Sequence, residues 1–283
     1  MNRIITALER ARQGGGFGST WLGHSIQDSD HSQPTSEVPE GEVELSPAQM
    51  QRLAQHRVLN PSFPDGMIDA YRILRTQVLR HLRESGHTLL AVTSPGMGEG
   101  KSLTAMNLAM SLVLNPEHRV LLVDCNLRRP QLHHLLGVDM GPGLSDYLNH
   151  DLSLNRLVIS VPGQRLAFLP AGRPIHNSAE MLASQKMRTL LRILKNEERG
   201  RYVIFDLPAV LPFADMLSFA PLVEAVLMVV EDGQTQMQNI ERAGALLSNA
   251  NLIGTVLNKA AAGYSGTIAR QRNPVPVATE PVL

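Results

Sequence analysis

The segment that most constrains this chain is Ser94-Pro95-Gly96-Met97-Gly98-Glu99-Gly100-Lys101-Ser102. It follows a short apolar run, Leu89 to Thr93, and opens a stretch with helical spacing, Leu103 to Leu114. A strand, a glycine-rich turn and a helix in that order make a phosphate-binding loop. Glycines let successive backbone N–H groups point into an anion, and the helix N-terminus adds a favourable dipole. In that geometry the Lys101 amine reaches the β- and γ-phosphates and the Ser102 hydroxyl binds Mg²⁺. The candidate nucleotide-binding residues are Gly96, Met97, Gly98, Glu99, Gly100, Lys101, Ser102 and Leu103. Pro95 stands where the strict pattern has its first glycine. A dinucleotide loop of the G-x-G-x-x-G type is excluded, because Lys101 stands where a third glycine is required.

The rest of the chain supplies a sheet for such a loop. Beyond Leu89–Thr93, short apolar runs recur at Val120 to Val123, Leu166 to Leu169, Tyr202 to Phe205, Ala225 to Val230 and Ile253 to Leu257. Each has the length of a buried strand, and stretches with helical spacing lie between most of them. Continuous apolar strands alternating with helices predict an α/β fold, a mostly parallel sheet with helices on both faces. A content of 43% apolar and 18% charged residues in 283 residues suits a sizeable core. No internal repeat is evident.

Composition also removes function classes. Twenty-six basic residues balance twenty-six acidic ones, so no global field draws the chain to nucleic acid, and none is expected as a partner. The single cysteine, Cys125, excludes a disulfide framework and a cysteine-based zinc site. No apolar run approaches the ~20 residues of a membrane span, and the N-terminus lacks the long apolar core of a secretory signal.

Residues 1–12 read as a short amphipathic helix, with Ile4, Leu8 and Ala11 on one face and Arg3, Arg10 and Arg12 around the rest. It is either a frayed terminus or a docking or membrane-surface helix. Residues 13–63 read as a linker that is disordered at first, with Phe17 and Trp21 as a candidate binding element. Ser46-Pro47-Ala48-Gln49 has the capping pattern of a helix start and predicts a short helix over about 46–58. The main domain is expected over 64–262, and a flexible Pro-rich tail over 263–283.

Two strand ends turn the loop into a site. Tyr202-Val203-Ile204-Phe205-Asp206-Leu207-Pro208 is an apolar strand that ends in a carboxylate, which in phosphate-loop proteins serves Mg²⁺. Val120-Leu121-Leu122-Val123-Asp124-Cys125-Asn126-Leu127-Arg128-Arg129-Pro130 puts a second carboxylate at a neighbouring strand end. Ligands bind outside the carboxyl ends of parallel strands, so Asp124, Asp206 and the loop should converge. Lys101, Asp124 and Asp206 are the catalytic candidates; Ser102, Asp124 and Asp206 are the metal candidates. Asp124 is also placed to orient or deprotonate an attacking hydroxyl. Arg128 and Arg129 are either phosphate or subunit contacts, or a solvated or salt-bridged pair. Cys125 reads as packing.

These motifs resemble the bacterial tyrosine kinases of capsule and exopolysaccharide operons, within the partition-ATPase class of P-loop proteins. Lys101 and Ser102 match the first motif of that family, Asp124 and Arg128 the second (D-x-D-x-R after three apolar residues), Asp206 and Pro208 the third (D-x-P). Asp69-Ala70-Tyr71-Arg72-Ile73-Leu74-Arg75-Thr76 is similar to its E-x-x-R-x-x-R oligomerisation helix, which marks Asp69, Arg72 and Arg75. Gly143-Leu144-Ser145-Asp146-Tyr147-Leu148 and Leu169-Pro170-Ala171-Gly172 resemble stretches between the second and third motifs. Val256-Leu257-Asn258-Lys259 resembles the strand end whose asparagine reads adenine, so Asn258 joins the nucleotide-binding set. The resemblance covers roughly residues 65–260. It implies a homo-oligomeric ATP- and Mg²⁺-dependent autokinase. It also implies a membrane chain-length regulator as partner, and a cytoplasmic, peripheral position at the inner membrane face.

Three departures qualify the match. Asn126 replaces the second Asp of D-x-D, and Asp69 replaces a Glu. The family's C-terminal tyrosine cluster is missing: of Tyr71, Tyr147, Tyr202 and Tyr264, only Tyr264 lies in the tail and stands as a phosphoacceptor candidate. The alternative reading is therefore a kinase-inactive, ATP-hydrolysing assembly switch.

Overall fold

The computed structural model describes residues 51, 53–59, 64–150, 152–160, 165–195 and 201–260. The terminal helix of 1–12, Phe17, Trp21, the tail and Tyr264 lie outside the described residues.

Seven strands form one sheet: β1 (Leu89–Thr93), β2 (Arg119–Asp124), β3 (Ile159–Ser160), β4 (Leu166–Leu169), β5 (Arg201–Asp206), β6 (Ala225–Glu231) and β7 (Leu252–Asn258). Their order is β3-β4-β2-β5-β1-β6-β7, parallel throughout except at β3, which pairs antiparallel with β4. β3 has two residues and no apolar run of its own, so nothing in the sequence marks it as a strand. The other six stand where the apolar runs put them, within a residue at each end.

Alternation along each strand builds two cores. Leu89, Ala91, Val203 and Phe205 face one side of the sheet. Leu90, Val92, Tyr202 and Ile204 face the other. Because both faces are covered, every residue of β1 and β5 is buried, which is why these strands read as unbroken apolar runs. Each fully buried large side chain contributes about 1.5–3 kcal/mol.

On the second face lie α1 (Asp65–Ser85) and α2 (Lys101–Val113). α1 follows Pro64, buries Leu74, Val78, Leu79 and Leu82, and stops at Gly86 in the left-handed conformation (φ 66°). α2 is buried almost all round, from Ser102 to Val113. It starts two residues earlier than its apolar spacing suggests, because Lys101 and Ser102 already form its first turn. Shorter helices complete the layers: α3 (Leu132–Leu136), α4 (Leu144–Asn149), α5 (Ser178–Leu182), α6 (Gln185–Lys195), α7 (Asp215–Phe219) and α8 (Met237–Leu246).

Residues 51 and 53–55 are helical, and the chain then turns at Arg57 (φ 56°). The helix thus ends before the predicted Val58. The stretch beyond that turn is packed, not loose: Leu53, Val58 and Leu59 are buried in the same core as α1 and α2. The Asn107 side chain on α2 holds this segment by its backbone. Its Oδ1 accepts the Leu59 N–H (2.8 Å), and its Nδ2 donates to the Arg57 carbonyl (3.0 Å).

Candidate nucleotide-binding site

β1 lies between β5 and β6, and β5 lies between β1 and β2. Parallel pairing therefore brings the loop after β1 and the carboxylates ending β2 and β5 to one edge of the sheet. Asp124 and Asp206 are direct cross-strand partners. The loop residues, Asp124 and Asp206 converge as the sequence reading expects.

The loop is carried from two sides. On one, the segment after β5 supports its start: the Leu207, Val210 and Leu211 N–H groups donate to the carbonyls of Val92, Ser94 and Pro95 (3.0, 2.8 and 3.1 Å). Thr93 Oγ1 donates to the Pro208 carbonyl at 2.7 Å. On the other, the ends of β6 and β7 hold its second half. Glu99 is buried; its Oε2 accepts the Gly96 N–H (2.8 Å) and its Oε1 accepts the Thr235 hydroxyl (2.7 Å). Asn258 Nδ2 donates to the Glu99 carbonyl (2.9 Å). Lys259 Nζ donates to the Gly98 carbonyl (3.0 Å) and pairs with Glu231 (2.8 Å). Gly98 and Gly100 take φ of 82° and 90°, the left-handed region that favours glycine. Met97 is exposed at the tip.

The two aspartates differ. Asp124 is fully buried and accepts three backbone N–H groups, from Asn126 (3.0 Å), Gln131 (3.3 Å) and Leu132 (3.2 Å). Burial and then the neighbouring Asp206 charge push its pKa up to about 7, against those hydrogen bonds. Asp206 is also fully buried, and neither carboxyl oxygen has a hydrogen-bond partner of good geometry. Burial raises its pKa, while the Lys101 charge and the nearby Ser102 hydroxyl favour the ionised form. An unpartnered buried carboxylate beside a serine hydroxyl and a lysine fits a hard cation. Among the described residues no three His, Cys, Asp or Glu side chains converge. Phosphate and water oxygens would complete the shell of an ion held by Ser102, Asp124 and Asp206, as Mg²⁺ prefers.

The remaining candidates separate by their surroundings. Cys125 is buried, and burial with the two flanking carboxylates drives its thiol pKa well above its ordinary value, so it packs and does not attack. Arg128 takes the salt-bridged alternative: its Nε binds Asp215 Oδ2 (3.2 Å), and its guanidinium lies 5.7 Å from the Phe213 ring centroid. Asn126 is buried beside Asp124. Arg72 pairs with Asp69 one turn back on α1 (3.0 Å), both side chains exposed, and Arg75 donates to the Ser111 carbonyl (2.7 Å). Tyr202 is buried, and burial raises the pKa of the Tyr71 phenol. The sequence reading omits Asp215, Glu231 and Thr235 and gives Lys259 no role. Asp215 opens the short helix α7 and Thr235 sits in a loop, neither within a motif; Lys259 follows Asn258 directly, and only its return to the loop distinguishes it.

No family model matches the chain. It is 33% identical over 183 residues to the succinoglycan biosynthesis transport protein ExoP of Rhizobium meliloti (strain 1021), covering 63% of this chain and 23% of that one. It is 29% identical over 194 residues to the tyrosine-protein kinase YwqD of Bacillus subtilis (strain 168), covering 67% and 80%. The BceF tyrosine kinase domain superposes with a TM-score of 0.61 at 28% identity, over 75% of this chain and 89% of that domain. A Mg-ADP complex of the septum site-determining protein MinD from Pyrococcus horikoshii shares the fold alone (TM-score 0.51, 22% identity, 63% and 73% covered). The chain spans about a quarter of the length of the curated relatives it first matches, 25% and 29%.

A mostly parallel sheet with a glycine-rich loop at an inner strand and two strand-end aspartates defines a P-loop NTPase fold. The chain is similar to proteins named tyrosine-protein kinase, ptk of Acinetobacter johnsonii at 30% identity and etk of Escherichia coli at 28%, and to solved tyrosine kinase domains.

Proposed function

We propose that this chain is an ATP-dependent protein-tyrosine kinase acting in exopolysaccharide assembly. The observation that carries the reading is the buried, unpartnered carboxylate of Asp206 beside Lys101 and Ser102 at the mouth of the loop. The name of the ExoP relative supports the polysaccharide context.

In this reading the backbone N–H groups of Gly96 to Ser102 cradle the phosphates of ATP, and the Lys101 amine neutralises the β- and γ-oxygens. Leu103 belongs to the same first turn of α2, and Asn258 faces the base. Mg²⁺, when bound, supplies charge stabilisation at the phosphates. Asp124 accepts the proton of the incoming tyrosine hydroxyl or orients it. As the new O–P bond forms, the bond from the γ-phosphorus to the bridging oxygen breaks, and ADP leaves. Asp69, Arg72 and Arg75 on α1 form the contact surface between copies. The cytoplasmic end of a membrane chain-length regulator is the activating partner and brings the protein to the inner membrane face. No helix among the described residues is long and apolar enough to cross a membrane.

The second reading, an ATP-hydrolysing assembly switch, is favoured by one observation: Tyr202 is buried and the Tyr71 phenol is largely enclosed, which leaves Tyr147 and Tyr264 as acceptors within the chain. The test is incubation with ATP and Mg²⁺, with and without the partner's cytoplasmic segment, read by site-resolved mass spectrometry. Phosphotyrosine that disappears in Lys101→Met supports the kinase. ATP hydrolysis with no phosphotyrosine selects the switch.

A further inference from the structure

The residue after Asn258 has an unusual backbone. Lys259 takes φ 58°, one of two described non-glycine residues at positive φ. An unbranched L-residue held there costs about 1 kcal/mol or more, and such conformations persist where surrounding contacts enforce them. Here the enforcing contacts come from the loop and from the end of β6. Lys259 Nζ donates to the Gly98 carbonyl at 3.0 Å, and Glu231 Oε2 holds the same ammonium at 2.8 Å. The Asp232 N–H donates to the Asn258 carbonyl at 2.9 Å, which ties the end of β7 to the end of β6. The Glu231 N–H donates to Thr235 Oγ1 at 2.8 Å, and that hydroxyl donates to Glu99 at 2.7 Å.

These bonds form a closed ring: Gly98 and Glu99 in the loop, Glu231 at the end of β6, Thr235 after it, and Lys259 after β7. For the loop N–H groups to face an anion, the carbonyls between them must turn outward. Outward-facing carbonyls need donors. Lys259 supplies one at Gly98 and Asn258 one at Glu99. The Lys259 ammonium also brings positive charge to the outer side of the turn.

We propose that Lys259 is a positioning residue of the nucleotide site. It braces the Gly98–Gly100 turn from outside in its anion-binding form, with Glu231 fixing the ammonium. This assignment rests on the nucleotide-binding reading above and extends it to a residue outside the loop.

The experiment is calorimetric titration of the full chain with Mg-ATP and Mg-ADP, using the unaltered protein, Lys259→Met, Lys259→Arg and Glu231→Gln. Thermal unfolding of each unliganded variant is measured alongside. Lys259→Met is expected to weaken both nucleotides about tenfold, the effect of losing one charge-assisted hydrogen bond. Lys259→Arg should recover most of the affinity, and Glu231→Gln should lose several-fold. Equal affinity in Lys259→Met and the unaltered protein overturns the brace and leaves nucleotide binding standing. A fall in affinity that Lys259→Arg does not recover, matched by a fall in unfolding temperature, assigns Lys259 a merely structural role and also overturns it. Failure of the unaltered protein to bind either nucleotide overturns the nucleotide reading, and the brace with it.

Discussion

Asp124 and Asp206 stand directly opposite each other on neighbouring strands, yet only Asp124 is served by backbone N–H donors. The pair divides its work accordingly. Asp124 is fixed in place by its surroundings, while Asp206 has both oxygens uncommitted.

That arrangement predicts a pH dependence. The Asp124 pKa of about 7 lies above its unfolded value, so the folded protein holds a proton that the unfolded chain releases. The stability of the unliganded protein should fall as pH rises from about 4 to about 7. Asp124→Asn should flatten that slope and stabilise the unliganded protein at pH 8. Urea unfolding at pH 5.5 and 8 measures both. In the opposite sense, Mg²⁺-dependent nucleotide binding should weaken below pH 7, where protons compete with the ion.

Gly100 caps the start of α2 at φ 90°, and a Cβ there would overlap the Asn258 amide nitrogen. Gly100→Ala should therefore lower nucleotide affinity by tenfold or more while the far-ultraviolet circular dichroism spectrum keeps its shape. An unchanged dissociation constant would mean that Asn258 can withdraw without cost.

Asn107 satisfies the buried Leu59 N–H and the part-buried Arg57 carbonyl. Asn107→Leu strands the buried donor, at about 1–3 kcal/mol. The unfolding midpoint in urea should drop accordingly. Truncation at residue 60, which also removes buried Leu53, Val58 and Leu59, should destabilise the domain further.

Arg128 compensates the fully buried carboxylate of Asp215. Arg128→Met leaves that charge unpaired and should cost about 3–5 kcal/mol, whereas the double variant Arg128→Met with Asp215→Leu should recover much of the loss. A double-mutant cycle by chemical denaturation gives the coupling; additive losses would show that the pair does not act as a unit.

The central strands, the loop and both aspartates were legible because each leaves a local mark: an unbroken apolar run, a glycine spacing, a carboxylate at a run's end. The supports were not. Thr235 reaches Glu99 across 136 positions and Lys259 reaches Gly98 across 161, and neither carries a pattern of its own. Asp215 reads as an ordinary helix-start acid until Arg128 is brought to it by folding. The two-residue strand β3 exists because β4 offers an edge, not because of its own residues. The segment around Val58 reads as linker because its anchor is the side chain of a distant asparagine.

That anchor grips main-chain atoms alone. The Asn107 amide recognises one carbonyl and one N–H, which any residue but proline can present, while Val58 and Leu59, buried in the core, are held to an apolar identity. Change of the exposed Arg57 side chain would therefore leave the attachment intact, whereas an insertion or deletion of a single residue there would break it. Selection at this junction acts on length before it acts on spelling.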